Sequence, residues 1–88
     1  AILSCKGIDP EAGLTDSAES HAQSKQAMLR AAQQVILALD DSKFDKISFV
    51  RIAPLDTLDV LVTNKKPEVS WLQCFREQGV DCRYPEKN

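Results

Sequence analysis

The run Val35-Ile36-Leu37-Ala38-Leu39 limits most strongly what this chain can fold into. Five consecutive apolar residues between Gln34 and Asp40 suit a strand buried on both faces, the environment of a parallel sheet. Parallel neighbours need a crossover, and the preceding residues supply one. Asp16 with Glu19 three residues on, or Ser17 as an alternative cap, opens a helix running to about Gln33. Ala18, Ala22, Lys25, Leu29 and Ala32 fall on one stripe of it, with Met28 beside them. Upstream, Ala1 to Cys5 is a short apolar run stopped by Lys6-Gly7, a second buried strand. Strand, helix and strand make a βαβ unit with a right-handed crossover. Residues 7 to 16, with Gly7, Asp9-Pro10, Gly13 and Thr15-Asp16, read as turn chemistry throughout. A strand body starting at Ala1 reads as the cut end of a longer protein.

Further along, residues 47 to 53 form a short strand ended by Pro54, and Leu58 to Thr63 form a third clear strand. Asn64-Lys65-Lys66 is a turn, and Pro67 suits the first position of a second helix. Val69, Leu72 and Phe75 give that helix its apolar stripe, with Trp71 alongside. Gly79 suits the left-handed position that closes it, and Val80 to Tyr84 form a last strand. The order β-α-β-β-β-α-β predicts an α/β fold: a mostly parallel, Rossmann-like sheet with flanking helices.

A chain of 88 residues fits one small domain or part of a larger one. Its net charge of −2 and scattered lysines and arginines argue against a nucleic-acid grip, which carries a basic stripe. Cys5, Cys74 and Cys82 are odd in number and widely spaced, with no C-x-x-C pair and His21 far from all three. That is not zinc-ligand spacing, and we read free thiols in a reducing cytosol, with no metal and no cofactor. No apolar run reaches the length of a membrane span.

Ligands of open α/β sheets collect beyond the carboxyl ends of the strands. Two polar loops fall on that edge, Lys6-Gly7-Ile8-Asp9 and Asp40-Asp41-Ser42-Lys43, because the strands before them run parallel. Gly7 would let backbone amides approach a ligand closely. Lys43 is suited to a phosphate or carboxylate, and Asp40 to hydrogen bonds from sugar hydroxyls. Ordinary turn residues at strand ends remain the competing reading. Catalysis has little to stand on: His21 lies mid-helix on the outer face, and Asp40 and Asp41 are adjacent, poor geometry for paired carboxylates. The G-x-S-x-G and G-x-x-x-x-G-K-[ST] motifs are absent.

The same loops carry a resemblance. Gly7-Ile8-Asp9-Pro10-Glu11-Ala12-Gly13-Leu14-Thr15 resembles the loop after a central sensor strand in DeoR/GlpR-type transcriptional regulators. Lys25-Gln26-Ala27-Met28 is similar to that family's Lys-x-Ala-Met helix, and Asp40-Asp41-Ser42-Lys43-Phe44 to its Asp-Ser-Ser-Lys-Phe box. Val50-Arg51-Ile52-Ala53-Pro54-Leu55, Leu58-Asp59-Val60-Leu61-Val62-Thr63 and Phe75-Arg76-Glu77-Gln78-Gly79-Val80 follow in the family's order and spacing.

The resemblance implies the C-terminal portion of an effector-sensing domain over residues 1–88, with the fold of ribose-5-phosphate isomerases, glucosamine-6-phosphate deaminases and CoA transferases. It implies a cytoplasmic, oligomeric repressor that binds a phosphorylated sugar and reaches operator DNA through a winged-helix domain N-terminal to these residues. Carried over residue by residue, Asp40 and Lys43 line the pocket, Gly7 and Asp9 adjoin it, and the role of Lys25 stays open. Asp41 departs from the usual serine, so either its charge points away from a bound phosphate or the ligand differs. Two alternatives stand beside this reading: part of a sugar-phosphate isomerase or deaminase of the same fold, and an oligomerisation module.

Overall fold

The computed structural model describes residues 1–85. Strands β1 (Ile2–Leu3), β4 (Ile36–Ala38), β6 (Val60–Val62) and β7 (Asp81–Arg83) form a wholly parallel sheet in that order. Its register sets Leu3, Leu37, Leu61 and Cys82 in one row. Side chains in line across a sheet share a face, and Leu37 and Leu61 on this one have no solvent exposure. Each such leucine contributes about 2 kcal/mol on burial. The apolar runs around Leu37 and Leu61 thus became the central strands, as their composition predicts.

Residues 7 to 16 are not a string of turns. They fold into an antiparallel hairpin, β2 (Gly7–Asp9) with β3 (Gly13–Asp16), in register Gly7↔Thr15 and Ile8↔Leu14. The turn residues sit at its tip, where the Asp9 carboxylate accepts hydrogen bonds from the Glu11 and Ala12 amides at 3.0 and 2.9 Å. Strand β5 (Val50–Ala53) pairs antiparallel with β3, with a bulge between Leu14 and Thr15. The segment expected to extend the parallel sheet therefore belongs to a second, three-stranded sheet ordered β2-β3-β5. The domain is α/β with one parallel and one antiparallel sheet, and Leu14, Ile8 and Ile52 join the same core as Leu37 and Leu61.

Helix α1 (Glu19–Ala31) starts later than a cap at Asp16 or Ser17 implies. Its N-cap is Ala18, which has no capping side chain. Asp16 is otherwise engaged: it ends β3, is fully buried, and accepts a 2.5 Å hydrogen bond from Lys25 Nζ. Lys25 Nζ also donates to the Ser4 carbonyl just beyond β1, at 2.6 Å. This gives Lys25 a role: it ties together the end of β1, the end of β3 and the middle of α1.

Helix α2 (Val69–Gln78) begins two residues after Pro67 and closes as expected. Gly79 is left-handed (φ 75°), and the Val80 amide bonds back to the Phe75 carbonyl at 2.8 Å. Its buried stripe is Trp71 and Phe75, one turn apart, whereas Val69 is 76% exposed. Phe44 caps that pair edge-on, its ring centroid 5.1 Å from that of Trp71.

Burial alone would raise the Asp16 carboxyl, but the hydrogen bonds from Lys25 and the Ser17 amide, with the charges of Lys25 and His21, hold it below the ordinary range. A depressed carboxyl stabilises the fold fully above the unfolded-state value, and that stability is lost as pH falls through the folded-state value. Lys25→Met leaves the buried charge unpaired and is expected to cost about 3 kcal/mol at neutral pH. The deficit should narrow as pH falls from neutral, because the variant's Asp16, buried without its cation, takes up a proton more readily than the paired one. Urea unfolding at pH 7 and pH 4 measures both; an equal loss at the two would refute the assignment.

Candidate functional site

Because β1 and β4 are parallel, their carboxyl ends open on one edge, and the segment after β4 is built there residue by residue. Asp40 caps a single 3-10 turn, Asp41–Lys43. Its Oδ1 accepts from the Ser42 amide at 2.9 Å and from the Ser42 hydroxyl. Those two bonds, chiefly, hold the Asp40 carboxyl below the ordinary range, with Lys43 and Lys46 adding to the effect against a smaller opposing influence of desolvation. Lys43 Nζ stands 4.0 Å from Asp40 Oδ2, and its side chain is one-third exposed. The turn thus presents an ionised acceptor and a cation side by side, both in reach of solvent.

The two loops expected to share this edge do meet. Phe44 bridges Ile8, and the Lys46 amide donates to the Ile8 carbonyl at 3.2 Å. Gly7 is buried in β2, and a Cβ there would overlap the Lys46 carbonyl. Its bare face is filled by Lys46, not left open for a ligand as the sequence reading expected. Asp9 spends its carboxylate on the hairpin tip. Of the four expected residues, Asp40 and Lys43 therefore offer side chains at the edge, while Gly7 and Asp9 shape the hairpin beside it.

One expectation for Asp41 was that it turn away from the site, and its carboxylate is engaged elsewhere. The Asp41 amide donates to Asn64 Oδ1 at 2.7 Å, Asn64 Nδ2 donates back to Asp41 Oδ1 at 3.1 Å, and Lys65 Nζ lies 3.7 Å from Asp41 Oδ2. This reciprocal clasp joins the loop after β4 to the loop after β6. Sequence reasoning took Asn64-Lys65 only as a turn, and no local signal marks a partner 23 residues away. Beside the clasp is a cleft of about 220 Å³, lined by Asp41, Phe44, Asp45, Lys65 and Trp71 among others. Trp71 Nε1 donates to Asp45 Oδ1 at 3.0 Å, fixing Asp45 in a left-handed conformation (φ 61°) that aspartate tolerates better than most residues.

His21 is largely exposed, 3.9 Å from Asp16. The three cysteines are free thiols; burial, and secondarily Asp81, pushes Cys82 up to about 11. Among the described residues, no cluster of three or more histidine, cysteine or acidic side chains is placed to hold a metal. No helix among them is long and apolar enough to cross a membrane.

Residues 1–65 match the family model described as the DeoR C terminal sensor domain. Over all 88 residues the chain is 31% identical to the HTH-type transcriptional repressor GlcR of Bacillus subtilis, covering 34% of that protein. It is 40% identical over 79 residues, 90% of the chain, to the uncharacterized HTH-type transcriptional regulator YulB of the same organism, covering 31% of it. Over 65 residues, 74% of the chain, it is 31% identical to the L-fucose operon activator of Haemophilus influenzae, covering 26% of it. The chain therefore spans between about a quarter and a third of the length of these relatives. By name, two of these relatives are HTH-type transcriptional regulators and the third is an operon activator.

Gly7→Ala is expected to destabilise the fold by roughly 1–3 kcal/mol, because backbone atoms of Lys46 must move to admit the methyl group. The 40–46 segment should shift with them. Chemical-shift changes confined to β2 and residues 40–46, with a lower urea midpoint, would bear this out; a silent substitution would contradict the close approach.

Proposed function

The chain belongs to the DeoR C-terminal sensor family, and from that membership we propose that it contributes the site at which a phosphorylated sugar intermediate controls a transcriptional regulator. The observation that carries this reading is the Asp40–Lys43 turn at the carboxyl edge of the parallel sheet, with an ionised carboxylate 4.0 Å from a part-exposed ammonium. A sugar phosphate needs that combination: a cation for the phosphoryl oxygens and a charged acceptor for the hydroxyls. The charge of Asp41 does not oppose it, since Asn64 and Lys65 hold that carboxylate. Gly7 and Asp9 enter as the wall of the site, fixing the hairpin against which residues 40–46 lie.

In this reading residues 1–88 are the C-terminal portion of a Rossmann-like sensor related to the ribose-5-phosphate isomerases. The rest of the sensor and a winged-helix DNA reader lie N-terminal to it, in a cytoplasmic homo-oligomer. Binding of the anion at Lys43 favours one sensor conformation and repositions the DNA readers by shifting a pre-existing equilibrium. No catalytic step is involved.

A thermal-shift screen of the complete regulator against phosphorylated sugars, with their unphosphorylated counterparts as controls, tests the ligand class. One sugar phosphate should raise the melting temperature selectively. Lys43→Ala should weaken its binding roughly ten- to a hundredfold, the worth of one hydrogen bond to a charged group, and leave operator binding unchanged. A normal response in that variant sinks the site, and no shift with any phosphorylated sugar sinks the ligand class.

A further inference from the structure

Asp41 and Lys43 occupy the same 3-10 turn, so a carboxylate that repels an anion sits beside the ammonium that attracts it. What separates the two is Asn64. Its Oδ1 accepts from the Asp41 amide at 2.7 Å and its Nδ2 donates to Asp41 Oδ1 at 3.1 Å. Lys65 Nζ stands 3.7 Å from the other carboxylate oxygen. Among the described carboxylates, Lys43 is left with Asp40 at 4.0 Å, longer than a hydrogen bond and open to replacement by an anion.

The clasp needs an amide. The Asp41 N–H requires an acceptor and the Asp41 carboxylate a donor, and an asparagine side chain offers both on one short planar group. Asn64 is itself held by the sheet. It follows Thr63, a buried residue whose amide donates to the Arg83 carbonyl at 3.0 Å and whose hydroxyl donates to Asn64 Oδ1 at 3.4 Å. The clasp is thus anchored at the end of β6 and not in the exposed turn it restrains. Lys65 is 71% exposed, so its attraction for Asp41 is screened and the Asn64 hydrogen bonds do the directing.

We propose that Asn64 is a positioning residue for anion binding: by holding the Asp41 carboxylate against the loop after β6, it keeps a negative charge off the anion that Lys43 receives. Without the clasp, that carboxylate is free to turn to Lys43, where it competes with the anion for the ammonium and repels it. Asp40 stays committed to the Ser42 amide and hydroxyl in either case. One like charge about 5 Å from a dianion in a water-like dielectric weakens binding roughly tenfold. The effect is therefore graded by charge, large for a phosphoryl dianion and absent for an uncharged sugar. This inference rests on the reading of Lys43 as the anion's partner.

The test is a double-mutant cycle in the complete regulator, with Asn64→Ala, Asp41→Ser and the two combined, and dissociation constants taken from thermal shifts. The probes are inorganic phosphate and a panel of phosphorylated sugars, with chloride at matched ionic strength and the unphosphorylated sugars as controls. Whichever probe binds the parent protein should bind Asn64→Ala about tenfold more weakly. In the Asp41→Ser background the same change should cost less than about threefold, because no charge is released. A merely structural role for Asn64 would cost the same in both. Both positions are exposed, and melting without anion reports whether each variant folds. Asn64→Asp is the second variant: it should lose at least as much as Asn64→Ala, and adding Asp41→Asn should restore binding, since amide and carboxylate have then changed places. An equal loss in both backgrounds, no loss in either, or a failed restoration overturns the proposal. A parent protein that binds none of the probes, or binds them equally well as Lys43→Ala, fails the effector reading itself and takes this inference with it. That outcome is read on the parent and on Lys43, not on the clasp.

Discussion

The rest of the structure depends on one contact, the ion pair between Asp16 and Lys25. Asp16 has no solvent exposure, so its charge is tolerable only because Lys25 Nζ and the Ser17 amide both reach it. Lys25 also bonds the Ser4 carbonyl, and its neighbour Gln26 reaches the Ile52 carbonyl at 2.9 Å, so α1 is registered at once against β1, β3 and β5. Buried pairs of this kind add little net stability, because desolvation offsets most of the attraction. What they exclude is misplacement, since any shift of α1 along the hairpin strands a buried carboxylate. Thr15 works beside it, donating to the Gly7 carbonyl and accepting from the Ser48 amide, which closes the hairpin on itself and on the approach to β5.

That hub also explains where the sequence could be read and where it could not. The runs around Leu37 and Leu61 declare themselves because a strand buried on both faces has no polar alternation to disguise it. The hairpin hides, since Gly7, Asp9, Pro10 and Gly13 are the residues of turns, and its strands are specified by pairing with β5 some 35 residues later. Asp16 looked like a helix cap for a similar reason: an acidic residue three before a glutamate has the local signature, and its real partner is set by tertiary structure. At α2 the expected stripe of Val69, Leu72 and Phe75 holds at Phe75, but Trp71, expected alongside, takes the buried place and Val69 is exposed, because aromatic bulk outcompetes a β-branched residue for the core.

The candidate site divides along the same line. That Asp40 and Lys43 share an edge with the Gly7–Asp9 segment follows from the parallel direction of β1 and β4, which the sequence carries. That Gly7 serves the Lys46 backbone, and that Asp41 belongs to Asn64 and Lys65, are contacts between loops on different strands, and no spacing rule encodes them. A glycine in a loop signals close approach without saying what approaches.

The fastening of the Lys43 turn has one consequence for sensing. The turn that holds Lys43 is fastened in two directions: through Phe44 and Lys46 to the hairpin, and through Asp41 to the loop that leads into α2. Each attachment is a specific hydrogen-bonded contact. An anion that draws Lys43 from Asp40 therefore cannot relax the turn alone, because Asp40 caps it and Asp41 is clasped from the same turn. Any difference in affinity between two positions of the turn is shared with α2 and the hairpin, which is the physical requirement for coupling one site to another.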